Sequence, residues 1–548
     1  MSVSSALANR LYLAGAMPAR ARFERAMRDP GAAQAAILDR IVRANADSAF
    51  GREHGFGKIR GTADFRERVP IRDAAAFDQY LQRVAEGEPG VLTSAEVRFV
   101  EPTSGSSGST KFVPYTTALL GEFAAATLPW IYDLLRHHPS LRNGGAYWAV
   151  TPPARHPAHT AGGVAVGLAH DTDYFPAFAR VMLDRALGTP RALALAPDIG
   201  TCRYLTLRAL LALPDLAFIS VWSPTFRTLM AGALDAEFAR LVHDLDHGNL
   251  SVDLEPATRR ELERALPPRP RLATELRRRF GRRAPEDLGQ VWPRLTLISC
   301  WADGHAARSL AALRQRFPLV AIQPKGLLAT EGVVSIPLSA ARGSVPAVAS
   351  HFLEFLPVDS PGGAVTVEGL DEGATYEVVL TTGGGLYRYR LRDVVRVEGR
   401  HLAVPVLSFR GRSDRTCDLA GEKLTPAFVE AELAASLRDC AIETRFAMLA
   451  PTRGERAGYT LYIETHSPHA QLVAAALERR LRATHHYALC RGLGQLAPVR
   501  AVTVHNGERT YERACIARGQ RAGTIKPVAL DDRLDWEREF SDRAAQFA

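Results

Sequence analysis

The stretch Thr103-Ser104-Gly105-Ser106-Ser107-Gly108-Ser109-Thr110-Lys111 sets four serines, two threonines and two glycines ahead of one lysine. Glycines let successive N–H groups converge on one point, hydroxyls add donors, and the ammonium brings a mobile positive charge. Together they suit the phosphates of a nucleotide. The same composition suits a flexible linker. A linker, however, has no use for the lysine or for the immediate return to Phe112-Val113-Pro114-Tyr115. The stretch is not a Walker A loop, because Phe112 rather than Ser or Thr follows Lys111 and the glycines are differently spaced.

Three further stretches carry groups able to do chemistry. In Lys325-Gly326-Leu327-Leu328-Ala329-Thr330-Glu331-Gly332 a hydroxyl and a carboxylate stand side by side within an apolar run. A charge there needs a partner, and a magnesium ion on phosphates would be one. In Gly383-Gly384-Gly385-Leu386-Tyr387-Arg388-Tyr389-Arg390-Leu391-Arg392-Asp393 an acidic residue follows a glycine turn. Asp393 there suits either two ribose hydroxyls or a salt bridge among the arginines. The third, Phe409 to Asp414 with Gly421-Glu422-Lys423-Leu424, is a glycine-punctuated polar junction suited to a hinge. Only five of the 68 basic residues are lysines: 58, 111, 325, 423 and 526. Where arginine is otherwise favoured, a retained lysine is a candidate for needing a compact, flexible ammonium.

Elements must position these groups. Residues 1 to about 95 read as a helical preamble, with turn signals at Gly51 and Gly55. Ala118 to Arg136 reads as an amphipathic helix, and Arg259 to Arg283 as a charged one. Gly145–Val150, Leu216–Trp222, Leu295–Trp301 and Leu319–Gln323 are short apolar runs that read as buried strands. Strands alternating with helices predict an α/β body with a mostly parallel sheet. Ligands sit beyond the carboxyl ends of such strands, where the Ser/Gly stretch, Trp222, Trp301 and the segment after Gln323 all fall. Thr375–Thr381 and Val394–Val397 read as short antiparallel strands divided by the triple glycine. A boundary is expected near Arg410–Asp414, with an α+β domain beyond it.

The composition bounds the rest. A chain of 548 residues, 47% hydrophobic and 23% charged, is that of a globular protein of two or more domains. The net charge of +9 comes from dispersed arginines without aromatic interleaving, which argues against a nucleic-acid partner. No uninterrupted apolar run reaches the roughly 20 residues that span a bilayer, so no membrane partner is expected. Six scattered cysteines without a CxxC pair predict free thiols in a reducing compartment, hence a cytoplasmic protein.

In this order the motifs resemble the adenylate-forming superfamily. More closely, they resemble the Gretchen Hagen 3 family of acyl-acid amido synthetases, read here as a bacterial member. The resemblance runs from about Arg98 to the C-terminal region, including Trp222-Ser223-Pro224-Thr225-Phe226, Cys300-Trp301-Ala302-Asp303 and Gln520–Pro527. It implies a large N-terminal adenylation domain, 1–409, with parallel and mixed sheets and a β-barrel-like part. A small mobile α+β domain, 410–548, would follow. It implies ATP and Mg²⁺ as cofactors, with Ser106, Ser107, Ser109, Thr110 and Lys111 cradling phosphates and Thr330 at the α-phosphate. Glu331 would hold magnesium, Asp393 the ribose, and Arg412 the nucleotide at the hinge. Lys526 resembles the catalytic lysine, with Lys423 a second candidate for that charge, and Trp222, Phe226 and Trp301 would wall an acyl pocket. The partners implied are a carboxylic acid and an amine or amino acid; the oligomeric state stays open, with a monomer as the default. Thioester formation on coenzyme A or a carrier protein, or an inactive nucleotide-binding scaffold, are the alternatives. Two departures from the plant pattern stand out: Ala329-Thr330-Glu331 replaces a serine-rich version, and Leu391-Arg392 replaces Val-Gly before the Asp. Arg392 is not expected to copy a glycine with φ > 0.

Overall fold

Four apolar runs become the centre of the larger unit. In the computed structural model, β3 (Gly145–Trp148), β6 (Leu216–Ser220), β7 (Leu297–Cys300) and β8 (Ala321–Pro324) form one sheet in the order β3-β6-β7-β8, every pair parallel. Every residue of β6 and β7 is buried, as expected of strands covered on both faces. The structure describes residues 3–104, 110–148, 158–167, 171–221, 230–301, 306–358, 362–413, 417, 419, 420, 422, 424–452, 457–493, 495–518, 520 and 525–541.

The chain divides into two compact units, one of residues 1–302, 310–391 and 395–408, the other of 303–309, 392–394 and 409–548. The first opens with helices Val3–Arg28 and Pro30–Ala44. The second of these starts where the Asp29 carboxylate accepts from Ala32 N, with Pro30 in the first turn. It buries Gln34, Ile37, Leu38, Ile41 and Val42, the spacing of one helical face. Gly51, read as a turn, lies inside the short helix Ala49–Glu53 capped by Ser48. The expected helix over 259–283 is two, Pro256–Ala265 and Pro270–Phe280. Pro267 and Pro268 stand between them and cannot continue the first.

A hairpin of β1 (Phe99–Ser104) and β2 (Thr110–Tyr115) joins β5 (Ala165–Val166) and β4 (Ala158–His159) in a second sheet. The helix Thr117–His137 follows directly, capped by the Thr116 hydroxyl, which accepts from Leu119 N. It is long and apolar enough to cross a membrane by length and composition, yet most of it is buried in the unit. A third sheet has the order β11-β12-β13-β14-β10-β9, formed by β9 (Ser335–Leu338), β10 (Gly343–Pro346), β11 (Phe352–Pro357), β12 (Thr375–Thr381), β13 (Tyr389–His401) and β14 (Val404–Arg412). Among the described residues, β11 and β9 stand at the two ends of this order. β13 is one long strand, not the short one read around Val394–Val397. Its alternating burial pattern explains why a continuous apolar run did not mark it.

The second unit is α+β. β15 (Ala447–Thr452), β16 (Gly458–Ile463) and β17 (Arg500–Thr503) form its sheet. Alternate residues feed two cores: Leu449, Leu461 and Ile463 meet Leu433 and Leu477 on one face, while Met448 and Tyr462 meet Tyr511 and Trp536 on the other.

Candidate active site

β1 and β2 pair from Phe99 opposite Tyr115 up to Ser104 opposite Thr110, so residues 105–109 are the hairpin connection. Ser106, Ser107 and Ser109 lie in it, outside the described residues, as do the side chains of Thr110 and Lys111. The stem is aromatic: the Phe99 and Tyr115 rings stack at 4.7 Å, and Phe123 and Tyr174 close around Tyr115. The Tyr115 hydroxyl donates to the Thr330 carbonyl at 2.6 Å.

That carbonyl belongs to a tight turn. Ala329 N donates to Gly332 O (3.0 Å) and Gly332 N to Ala329 O (3.2 Å), so Thr330 and Glu331 are its two tip residues. The half-buried Glu331 accepts from the Tyr389 hydroxyl at 3.4 Å. Val333 N, just past the tip, donates to His351 Nε2 at 2.9 Å. His351 Nδ1 in turn donates to Glu122 Oε2 at 3.0 Å. Gly326 is required by space, because a Cβ there would lie 2.0 Å from the Ser335 carbonyl oxygen. Sequence reading missed Tyr115, Glu122 and His351. The one signal was Glu122, the carboxylate in the apolar first half of a helix.

The triple glycine is a packing device. Cβ atoms at Gly383 and Gly384 would press on Glu122 and on Leu119 and the Pro114 carbonyl, each at 2.7 Å. Gly383 N donates to both Glu122 oxygens (3.1 and 2.9 Å), and the Thr116 hydroxyl donates to Gly383 O (2.9 Å). Tyr387 is fully buried, stacks on Phe50 and donates to Leu92 O at 2.6 Å. Arg388, at φ 48°, forks onto the buried Glu354 with Nε and Nη2 (2.9 and 3.1 Å) and donates to Val69 O. Arg390 pairs with Glu377 at 2.5 Å. Three conspicuous side chains of the Tyr-Arg-Tyr-Arg motif thus hold the fold together.

Beyond the parallel sheet, Lys325 is 1% exposed. Its Nζ donates to Ser220 Oγ at 2.9 Å, at the end of β6, and lies 5.7 Å and 5.2 Å from the Trp130 and Trp148 ring centroids. Nearby Cys300 is a buried thiol pushed up to about 12 by desolvation, against the opposing pull of the Lys325 charge. Trp301 is buried just past β7; Trp222 and Phe226 lie outside the described residues. Trp148 also walls a cavity of about 410 Å³ with Phe175, Leu183, Leu187 and Leu193. At its polar side Arg191 bridges Asp184 and the Thr172 hydroxyl (2.8 and 2.9 Å).

On the second unit Asp393 is buried and accepts from Arg412 Nη1 at 3.3 Å, so the salt bridge weighed against ribose binding is present. Arg392 takes φ 68°, overturning the expectation that it would not. Ser413 N donates to its carbonyl at 2.8 Å, and such fixed surroundings hold a residue in a left-handed state costing about 1–2 kcal/mol. Glu422 is also buried, accepting from Leu419 N and Ala420 N (both 2.8 Å) and from the Tyr459 hydroxyl. Lys423 beside it lies outside the described residues; Lys526 is exposed, directly after the buried Ile525.

The described residues hold no group of three His, Cys, Asp or Glu side chains placed to ligate a metal. A single carboxylate at the tip of a turn fits a hard cation that takes its other ligands from water and substrate phosphates, as Mg²⁺ does.

Family models match most of this chain: the GH3 family N-terminal domain over 19–322, the central domain over 344–412 and the C-terminal domain over 427–531. A probable indole-3-acetic acid-amido synthetase of Oryza sativa subsp. japonica, GH3.12, is 28% identical over 447 residues, 71% of this chain and 70% of that protein. The jasmonoyl–L-amino acid synthetase JAR6 of Nicotiana attenuata is 26% identical over 433 residues, 74% and 73% of the two chains. Among solved structures, GH3.15 acyl acid amido synthetase shares the fold with a TM-score of 0.82 at 20% identity, covering 95% of each chain. A 2-hydroxyisobutyryl-CoA ligase bound to 2-HIB-AMP shares it more loosely, with a TM-score of 0.51 at 11% identity over 93% and 92%. Three family domains in succession, matched by sequence and carried on this fold, establish that the chain belongs to the GH3 family.

Proposed function

We propose that this protein is an ATP-dependent acyl-acid amido synthetase. It activates a carboxylic acid as acyl-AMP, then passes the acyl group to an amine, as its relatives named for amino-acid conjugation suggest. The observation that carries the proposal is the bond from Tyr115, at the foot of the Ser/Gly hairpin, to the Thr330 carbonyl. It ties the hairpin suited to phosphates to the turn bearing Thr330 and Glu331.

A carboxylate is a poor acyl donor because its leaving group would be an oxide. In the first step its oxygen attacks the α-phosphorus, the bond to the β-phosphate breaks and pyrophosphate leaves. In the second, the amine nitrogen attacks the acyl carbon, the bond to phosphate breaks, AMP leaves and the nitrogen sheds a proton. Ser106, Ser107, Ser109, Thr110 and Lys111 bind phosphate oxygens, and the Thr330 hydroxyl orients the α-phosphate. Asp393 binds the ribose once the nucleotide competes with Arg412 for it, and Arg412 then turns to the nucleotide. Lys526 neutralises charge building on the α-phosphate, with Lys423 the alternative. Glu331 would hold Mg²⁺, which when bound offsets phosphate charge. Trp301, with Trp222 and Phe226, walls the acid, and the aromatic lining favours an apolar one. The proposed domains are 1–409 and 410–548, and Lys526 belongs to the second.

The test is ATP–pyrophosphate exchange across a panel of carboxylic acids with Mg²⁺, followed by mass spectrometry after adding amino acids or coenzyme A. Acid-stimulated exchange with an amide product is expected. A thioester as the sole product would transfer the protein to the coenzyme A ligases, and ATP binding without exchange would leave a scaffold.

A further inference from the structure

Glu122 and His351 are 229 residues apart in sequence and almost wholly buried, and neither has a part in the chemistry above. Their hydrogen bonds form an unbroken line between two loops. At one end the Gly383 amide donates to both Glu122 oxygens. In the middle His351 Nδ1 donates to Glu122 Oε2; at the far end His351 Nε2 accepts from Val333 N, two residues beyond Glu331. The direction of these bonds puts the ring proton on Nδ1. The line is braced from outside. Gln34 Nε2 donates to the His351 and Val348 carbonyls (2.8 and 3.0 Å), while its Oε1 accepts from Leu353 N (2.7 Å). Arg40 reaches Glu122 Oε1 at 3.3 Å from the surface. Gly332 leaves the ring its place, since a Cβ there would lie 3.0 Å from Nε2.

We infer that Glu122 and His351 are positioning residues for the adenylation step: a rigid strut that sets the Thr330–Glu331 turn before nucleotide arrives. The inference rests on the amido-synthetase reading for the role of Glu331, and on geometry alone for the rigidity. Preorganised groups cost no rearrangement when charge develops, and buried polar networks with every member satisfied rigidify their surroundings.

Two variants split the strut. His351→Gln keeps an acceptor where Nε2 stood and loses the bond to Glu122; His351→Asn keeps the donor and loses the acceptor for Val333 N. The expected result is a KM for ATP in saturating Mg²⁺ raised about tenfold in the Asn variant, which leaves Val333 N without its acceptor, and about threefold in the Gln variant, which keeps that acceptor and loses only its anchor on Glu122. The KM for the acid should stay unchanged in both, and their melting temperatures should fall together. Equal KM changes, or changes that track melting temperature, overturn the inference. Hydrogen exchange on the wild-type protein tests it without variants. The segment 329–334 should be protected before ATP is added, and protection that appears only with ATP overturns the strut. A wild type without exchange activity would sink the amido-synthetase reading and leave the hydrogen-exchange result standing by itself.

Discussion

Two carboxylates in this protein look alike in sequence and differ in what they can do. Glu354 is 0% exposed and forked by Arg388 and Arg66, so its charge is consumed by the fold. Glu331 is half-buried at the tip of a turn, where a substrate can meet it. Arg388→Ala should therefore cost about 3–5 kcal/mol of stability, because it strips the main partner from a buried charge. Urea unfolding would read this as a lower midpoint. Glu331→Gln should leave that midpoint alone and lower acid-dependent exchange by about 10²–10³-fold, the usual scale for losing one electrostatic stabiliser. Both residues sit in motifs that reading the sequence singled out, yet sequence alone did not separate the clamp from the site. Burial and partnership decide that, and Arg388 meets Glu354 only across the folded unit. Tyr115 was passed over for the same reason: its hydroxyl acts on a residue 215 positions away.

Among elements, the parallel sheet was the most legible, since strands buried on both faces must be apolar throughout and say so in any order. The helix after the Ser/Gly hairpin was legible too, expected over Ala118 to Arg136 and found over Thr117–His137. What stayed hidden were elements whose residues answer to distant neighbours. β13 alternates in burial over its length and carries Arg390, whose partner Glu377 lies on β12, while Arg388, just before it, reaches the Val69 carbonyl in the N-terminal helical region. The triple glycine read as a turn before an acidic site, and it is one, with Gly385 at φ 98°; what stayed hidden is that helix and strand press against it. Gly384→Ala would force a methyl into backbone and Leu119, and a loss of about 1–3 kcal/mol is expected from overpacking. Differential scanning calorimetry would show it as a lower transition temperature, whereas a glycine needed only for loop flexibility would tolerate alanine.

Across the whole molecule, burial keeps protons on groups that would shed them in water. The Tyr387, Tyr459 and Tyr487 hydroxyls are raised well above the ordinary phenol range by desolvation, and Cys300 is raised to about 12. Unfolded, the thiol loses its proton near pH 8.5 and the phenols near pH 10, by approximate model values. Above about pH 9 the native state thus holds more protons than the unfolded one, and stability must fall as pH rises. Urea midpoints should decrease steadily from pH 8.5 to 10.5; a flat profile would contradict this. Five of the six free cysteines are buried, leaving Cys440 as the thiol that a disulfide reagent should titrate before unfolding.

The line from Gly383 through Glu122 and His351 to Val333 has a consequence for anyone recombining this protein with its relatives. A turn held at its edge by a ring nitrogen, and shaped by a glycine that makes room for that ring, is not a portable cassette. Grafting a serine-rich turn into 329–332 alone would bring a loop cut for a different neighbour. Moving it together with positions 122, 351 and 383 would carry over the lock as well as the key. Chimeras that exchange the four regions as a block should keep their activity, and those that exchange the turn alone should lose it.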